Sequence, residues 1–330
     1  MSALRIIRKT MTGKIMRVGR ITLLIGVMCS VSSCGGITDE TSLTISATYA
    51  IGSPIAVCFD GAHIWVAGAH TDTVTELKPE DGTLVGTYPV GNYPIAICFD
   101  GNDVWVANFE SNNVTELRST DGSLVGSYPV GRNPISICCD GNNIWTANFA
   151  EGSVTKISAV DGSMEGTFAT GAFPGAICFD GTDIWTSSAS EHGVTRLSAA
   201  DGKLLGKYPV GDEPVALCFD GVCIWTANPA ADEVARVQAA NGEPGGVYKV
   251  GRYPSAICFD GVNVWVANSD DNTVTELKAS NGRVVGTFMV GEKPLSICFD
   301  GTNIWTANFN GNNVTRLQLK VGSSLTTSGK

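Results

Sequence analysis

A forty-residue repeat constrains this chain more than any other feature. Pro54, Pro94, Pro134, Pro174, Pro214, Pro254 and Pro294 recur at that interval. An Asp-Gly pair keeps the same register from Asp60-Gly61 to Asp300-Gly301, and so do all seven tryptophans from Trp65 to Trp305. A period near 40 belongs to solenoids and propellers, whose units bury their faces only by stacking.

Each copy divides into four short strands, read here on the second. Strand A spans 95–99 and is apolar throughout, which predicts burial on both faces. Asp100-Gly101 turns into strand B at 104–107, which carries the Trp. A polar turn leads to strand C at 114–117, and Asp121-Gly122 leads to strand D at 124–130. Pro89, Pro129, Pro209 and Pro244 fall in strand D, so D is the outer edge, where a missing N–H is tolerated, and A is innermost.

The chain ends specify closure. The seventh copy stops after strand C, whereas Thr48-Tyr49-Ala50-Ile51-Gly52 matches the strand-D segment Thr87-Tyr88-Pro89-Val90-Gly91 with nothing before it. The expected fold is therefore all-β: a seven-bladed β-propeller of 40-residue four-stranded repeats, with the N-terminal strand closing the last blade. It occupies 43–320, followed by a flexible tail at 321–330.

The unit VGxxPxxICFDGxxIWxANxxxNxVTxL resembles the YVTN and NHL class of propeller repeats, and more loosely the streptogramin lyase propeller. That resemblance covers nearly all of the expected mature chain and implies the fold; such propellers host many unrelated activities. The lyases use a His and a Glu with Mg²⁺ on the ligand-binding rim. Those residues do not carry over: no copy has His after the repeat Pro, and strand B ends Trp-Val-Ala-Asn or Trp-Thr-Ala-Asn where lyases tend towards Trp-Phe-Thr-Glu.

Residues 1–33 hold six basic residues and no acid, an apolar run at 21–28 and small residues before Cys34, the pattern of a secretory signal. Translation from Met11 or Met16 gives a signal of more usual length. Val31-Ser32-Ser33-Cys34 resembles the bacterial lipobox, which implies cleavage before Cys34 and acylation of its thiol; ordinary signal cleavage is the alternative. Residues 34–42 then form a short tether. The expected location is extracytoplasmic, lipid-anchored at the bacterial cell envelope or otherwise periplasmic or secreted, with membrane contact through the lipid at Cys34 alone.

Beyond residue 33 the chain holds 16 basic residues against 32 acidic ones, which repels phosphate backbones and excludes nucleic acid as a partner. Seven of the eleven cysteines share one strand-A position, from Cys58 to Cys298, and read as small buried core residues on separate blades. Cys139 replaces a Phe and Cys223 sits in a turn; none has zinc spacing, and no cofactor or metal is expected. So many unpaired thiols fit an export compartment poorly, a tension that a reducing or anaerobic niche removes.

Function is expected where the copies differ. Strand parity places the D–A and B–C connections on one rim and the uniform Asp-Gly turns on the other. The variable rim carries Tyr93, Phe173 and Tyr253 in D–A loops and Phe109, Phe149 and Phe309 in B–C turns, with Arg132, Arg252 and Lys293 among them. These aromatics read as a contact surface for a protein, peptide or glycan, or else as covers for their own turns. The arginines suit an anionic ligand, while acidic neighbours from Glu110 to Asp271 read equally as solvated charge. His70 and His192 share the rim on distant blades, and no nucleophile elbow or phosphate loop is present. The expected function is a non-enzymatic binding module; the alternative is a divalent-cation-dependent lyase.

Overall fold

A computed structural model describes residues 44–318 and contains strands β1 to β28 in chain order. They form seven four-stranded antiparallel sheets, each four consecutive strands in sequence order except at the junction of the chain ends. There β26 (Pro294–Phe299), β27 (Asn303–Asn308) and β28 (Asn313–Gln318) are completed by β1 (Thr44–Ala50), which pairs antiparallel to β28 from Thr44↔Gln318 to Ala50↔Asn313. The N-terminal strand thus closes the ring as expected. The signal, tether, Cys34 and tail lie outside the described residues.

The same three contacts hold each blade. The indole Nε1 of every Trp donates to the Oδ2 of its blade's turn Asp at 2.6–2.7 Å. The other oxygen of that Asp accepts two backbone N–H groups of the A–B turn; Asp220 Oδ1, for example, takes Val222 N at 2.8 Å and Cys223 N at 2.6 Å. On the outer strand a Tyr or Phe ring lies against the Trp at 5.5–6.1 Å between centroids in all seven blades. The next blade presses its C–D turn on that ring: a Cβ on Gly122 (φ +69°) would stand 2.0 Å from Tyr88, so only glycine fits.

Burial departs from expectation at strand A. Strand B is the buried one, with Trp105 and its neighbours inaccessible, whereas strand A of blade 2 is half-buried beyond Pro94. The reason is ring geometry: the innermost strands face the axial channel, and strand B is flanked on both edges and both faces. The repeated cysteines are accordingly half-buried, and all nine described cysteines are free. Each packs against the next blade, as Cys98 does beside Ile137 and Cys139. Desolvation pushes their thiols well above the usual range, and neighbouring cysteines around the ring add to it. A protonated thiol is a poor nucleophile.

Asp220→Ala leaves one indole and two backbone N–H groups without their acceptor. A loss of about 2–4 kcal/mol in unfolding free energy is expected from urea titration; a loss below 1 kcal/mol would show that the blade does not depend on this carboxylate.

Candidate functional site

The rim formed by the D–A loops and B–C turns, here the upper rim, is built from left-handed residues. In the D–A loops Ser53, Tyr93, Asn133, Phe173, Glu213, Tyr253 and Lys293 all have φ between +47° and +59°. Asn adopts this region readily; bulky side chains do so at a cost of roughly 1 kcal/mol. Five of these loops are clamped to the preceding blade. The side chains of Asp72, Asn112, Asp232, Asn272 and Asn312 accept the backbone N–H of Tyr93, Asn133, Tyr253, Lys293 and Ser53, at 2.8–3.1 Å. At the two remaining junctions the clamp position holds Gly152 and His192.

The predicted site residues divide into two groups. Tyr93 and Phe109 are buried, with rings 6.0 Å apart, and form one apolar cluster with Ile55, Ile95, Ile135, Leu295 and the half-buried Phe149 and Phe309. This cluster spans blades 7, 1, 2 and 3. His70 stands edge-on to Tyr93 at 5.7 Å and to Phe309 at 5.5 Å, and hydrogen-bonds Ser53 Oγ at 3.2 Å. Phe173 is 43% exposed and lies 5.1 Å from Phe149, at the edge of the cluster. On blades 4 to 6 the positions equivalent to Phe109 hold Ala189, Pro229 and Ser269, and those equivalent to Ile95 hold Gly175, Val215 and Ser255. The mouth of the channel is aromatic on one side and lined by small side chains on the other.

The cations of the rim are already paired. Arg132 meets Glu151 at 3.1 Å, Arg252 meets Asp271 at 2.6 Å, and Lys293 meets Asp270 at 2.6 Å while lying 5.1 Å from the centroid of the half-buried Tyr253 ring. An anionic ligand would therefore have to displace a carboxylate. His192 lies 3.3 Å from Asp212, both well exposed. Among the described residues, no group of three or more His, Cys, Asp or Glu is arranged to hold a metal ion.

Sequence reading missed a second variable column, at the opposite end of the blades. The strand-C residue opposite each Trp is Glu76, Glu116, Lys156, Arg196, Arg236, Glu276 or Arg316. The signal was a charge in a strand-C position that shares the Trp's face. The cations lie 5.1–5.8 Å from their Trp rings and reach backbone carbonyls of the next blade, Ala200, Ala240, Ala279, and Pro79 with Glu80. The acids have other partners. Glu76 accepts Tyr88 Oη at 2.7 Å and meets His63 at 3.0 Å; Glu116 accepts Tyr128 Oη at 2.8 Å. Blade 6 has Phe288 in place of that tyrosine, and Glu276 Oε2 is buried without a hydrogen-bond partner. Desolvation pushes the Glu276 carboxyl up to about 7.

The fold has many likenesses among solved structures. A streptogramin B lyase matches with a TM-score of 0.74 at 18% identity, over 84% of this chain and 98% of that one. A virginiamycin B lyase from Staphylococcus aureus matches at 0.72 and 18%, over 85% of this chain and all of that one. The hydrazine synthase of Kuenenia stuttgartiensis matches at 0.71 and 18%, over 86% and 99%. Identity this low establishes the shared propeller and nothing of its chemistry. No family model and no curated protein matches the chain.

The raised Glu276 carboxyl makes stability fall as pH rises. Below about 4.5 the group is protonated in folded and unfolded chains alike and has no effect; between there and about 7 the unfolded chain ionises first, and above 7 the full cost is present. Glu276→Gln should remove this slope and add about 2–3 kcal/mol at pH 8. Phe288→Tyr should do part of the same by supplying the hydroxyl that Glu76 and Glu116 receive. Equal stability of wild type and Glu276→Gln at pH 5 and pH 8 would refute the assignment.

Proposed function

We propose that this chain is a non-enzymatic binding module held at the cell envelope, which takes a peptide, glycan or protein segment on the aromatic side of its upper rim. The D–A loop column carries this reading. Tyr93, Phe173 and Tyr253 sit at φ +54° to +57°, where Gly or Asn would cost less. A repeat so uniform elsewhere keeps aromatic rings at strained positions because the rings themselves are needed. The exposed Phe173 stands next to the half-buried Phe149, over a cluster in which Tyr93 and Phe109 are buried and Phe309 is half-buried, so that side of the rim offers apolar area of the sort that anchors ligands.

A lyase reading draws on the likeness to the streptogramin B and virginiamycin B lyases and on the His192–Asp212 pair. Its test is turnover of a streptogramin B with and without Mg²⁺; loss of activity in His192→Ala would sustain it.

The binding reading is tested by thermal shift against peptides and glycans, with Phe173→Gly as the variant. Because Phe173 is exposed and left-handed, this change should raise the ligand-free midpoint while abolishing the ligand-induced shift. A ligand whose shift is untouched by both Phe173→Gly and Phe149→Ala binds elsewhere, and the reading falls.

A further inference from the structure

The opposite end of the ring, formed by the A–B and C–D turns, carries most of the exposed apolar surface. Among the described residues fourteen large hydrophobic side chains are exposed, and eleven of them lie at this lower end. Leu84 (60%), Leu124 (65%) and Leu204 (50%) open the outer strands just after the C–D turns; Val160 (92%), Val222 (67%) and Val262 (63%) stand on the turns themselves. Two of the fourteen, Phe173 and Met289, lie at the upper end. Scattered exposed aliphatics need no explanation, but a distribution so one-sided does.

Chain topology says what faces this end. Thr44, the first described residue, pairs with Gln318, which pairs with Asn303 just after the Asp300-Gly301 turn. The N-terminal segment therefore meets the ring at the lower end, among the exposed aliphatics. Ten residues separate Thr44 from Cys34, an extended reach of at most about 35 Å. A lipid at Cys34 would make this end the one nearest to the anchor. Charges of both signs lie there with acids in excess: Lys78, Arg118, Lys203, Lys278 and Arg283 stand beside Glu80, Asp81, Asp121, Asp161, Asp201, Glu243 and the aspartates of the A–B turns, many of the acids tied into their own turns. That pattern gains little from an anionic surface and suits a zwitterionic one.

We infer that the lower end of the propeller is a membrane-docking face: its aliphatic ring rests on zwitterionic lipid headgroups, so that the upper rim points away from the membrane towards its ligand. The inference deepens the envelope-tethered reading and rests on it for the anchor. Each side chain buries a modest apolar area, and the set acts together because the tether holds the protein at high local concentration.

The test uses the full chain, isolated with its native N-terminus and reconstituted into phosphatidylcholine–phosphatidylethanolamine vesicles, with a protease site placed within residues 35–42. The mass of the N-terminal peptide reports acylation of Cys34 separately from docking. After cleavage the wild-type ring should remain largely with sedimented vesicles, and the Leu84→Ser/Leu124→Ser/Leu204→Ser variant should be retained at least fivefold less, with an unchanged melting midpoint. Deuterium uptake on vesicles should fall at residues 84–86, 124–126 and 204–206 and not at the upper rim. Complete release of the cleaved wild type overturns docking even where acylation is found. Retention without acylation upholds docking and removes the anchor. A cleaved wild type that is dimeric by light scattering, and monomeric in the variant, makes the aliphatic face an interface between copies and overturns the lipid assignment.

Discussion

Seven times around the ring a buried indole N–H meets a turn carboxylate, and that carboxylate also caps the turn that precedes the indole's strand. One oxygen fixes the A–B turn and the other fixes the Trp rotamer, so the largest side chain of each blade is aimed before any neighbour arrives. The outer-strand Tyr or Phe then lies against the Trp, and the next blade's glycine turn lies against that ring. Blade-to-blade packing follows from a contact within each blade, which is why the repeat tolerates no insertion: a changed turn would misdirect the indole and open the seam.

With the scaffold held from within each blade, the seams are free to vary in charge. Four are bridged by a cation lying against the Trp ring and reaching the next turn's carbonyls; three carry a glutamate instead. Where a tyrosine hydroxyl supplies a donor the glutamate is satisfied. At the seam between blades 6 and 7 it is not, and burial without a partner raises its affinity for a proton. This seam adjoins the blade that the N-terminal strand completes, so its electrostatic weakness lies beside the covalent gap of the ring.

The two ends of the propeller are given different work by this arrangement. At the upper rim side-chain clamps between blades over-determine the backbone at five of the seven D–A loops, which lets them hold Tyr93 and Tyr253 in a conformation that those residues resist, whereas Phe173 adopts it opposite Gly152 without such a clamp. At the lower end uniform turns leave the outer strands' first residues bare. The ring thus has a sequence-variable, partly aromatic rim at one end and an aliphatic rim at the end where the N-terminal strand enters.

The sequence by itself determined the blade count, the four strands in each, the outer position of strand D and the closure by the N-terminal strand, because these follow from local turn chemistry, proline placement and a period that no other architecture closes. It also located the variable rim, by strand parity alone. Only the tertiary structure decided which side chains share that rim's apolar cluster, that Tyr93 and Phe109 are buried in it while Phe173 is exposed, and that Arg132, Arg252 and Lys293 are paired. It likewise showed strand A half-buried rather than enclosed, and a charged column within the seams. The reason is common to all of these: they depend on distances between blades, set by how seven sheets pack around an axis, and no pattern within one forty-residue unit carries that information.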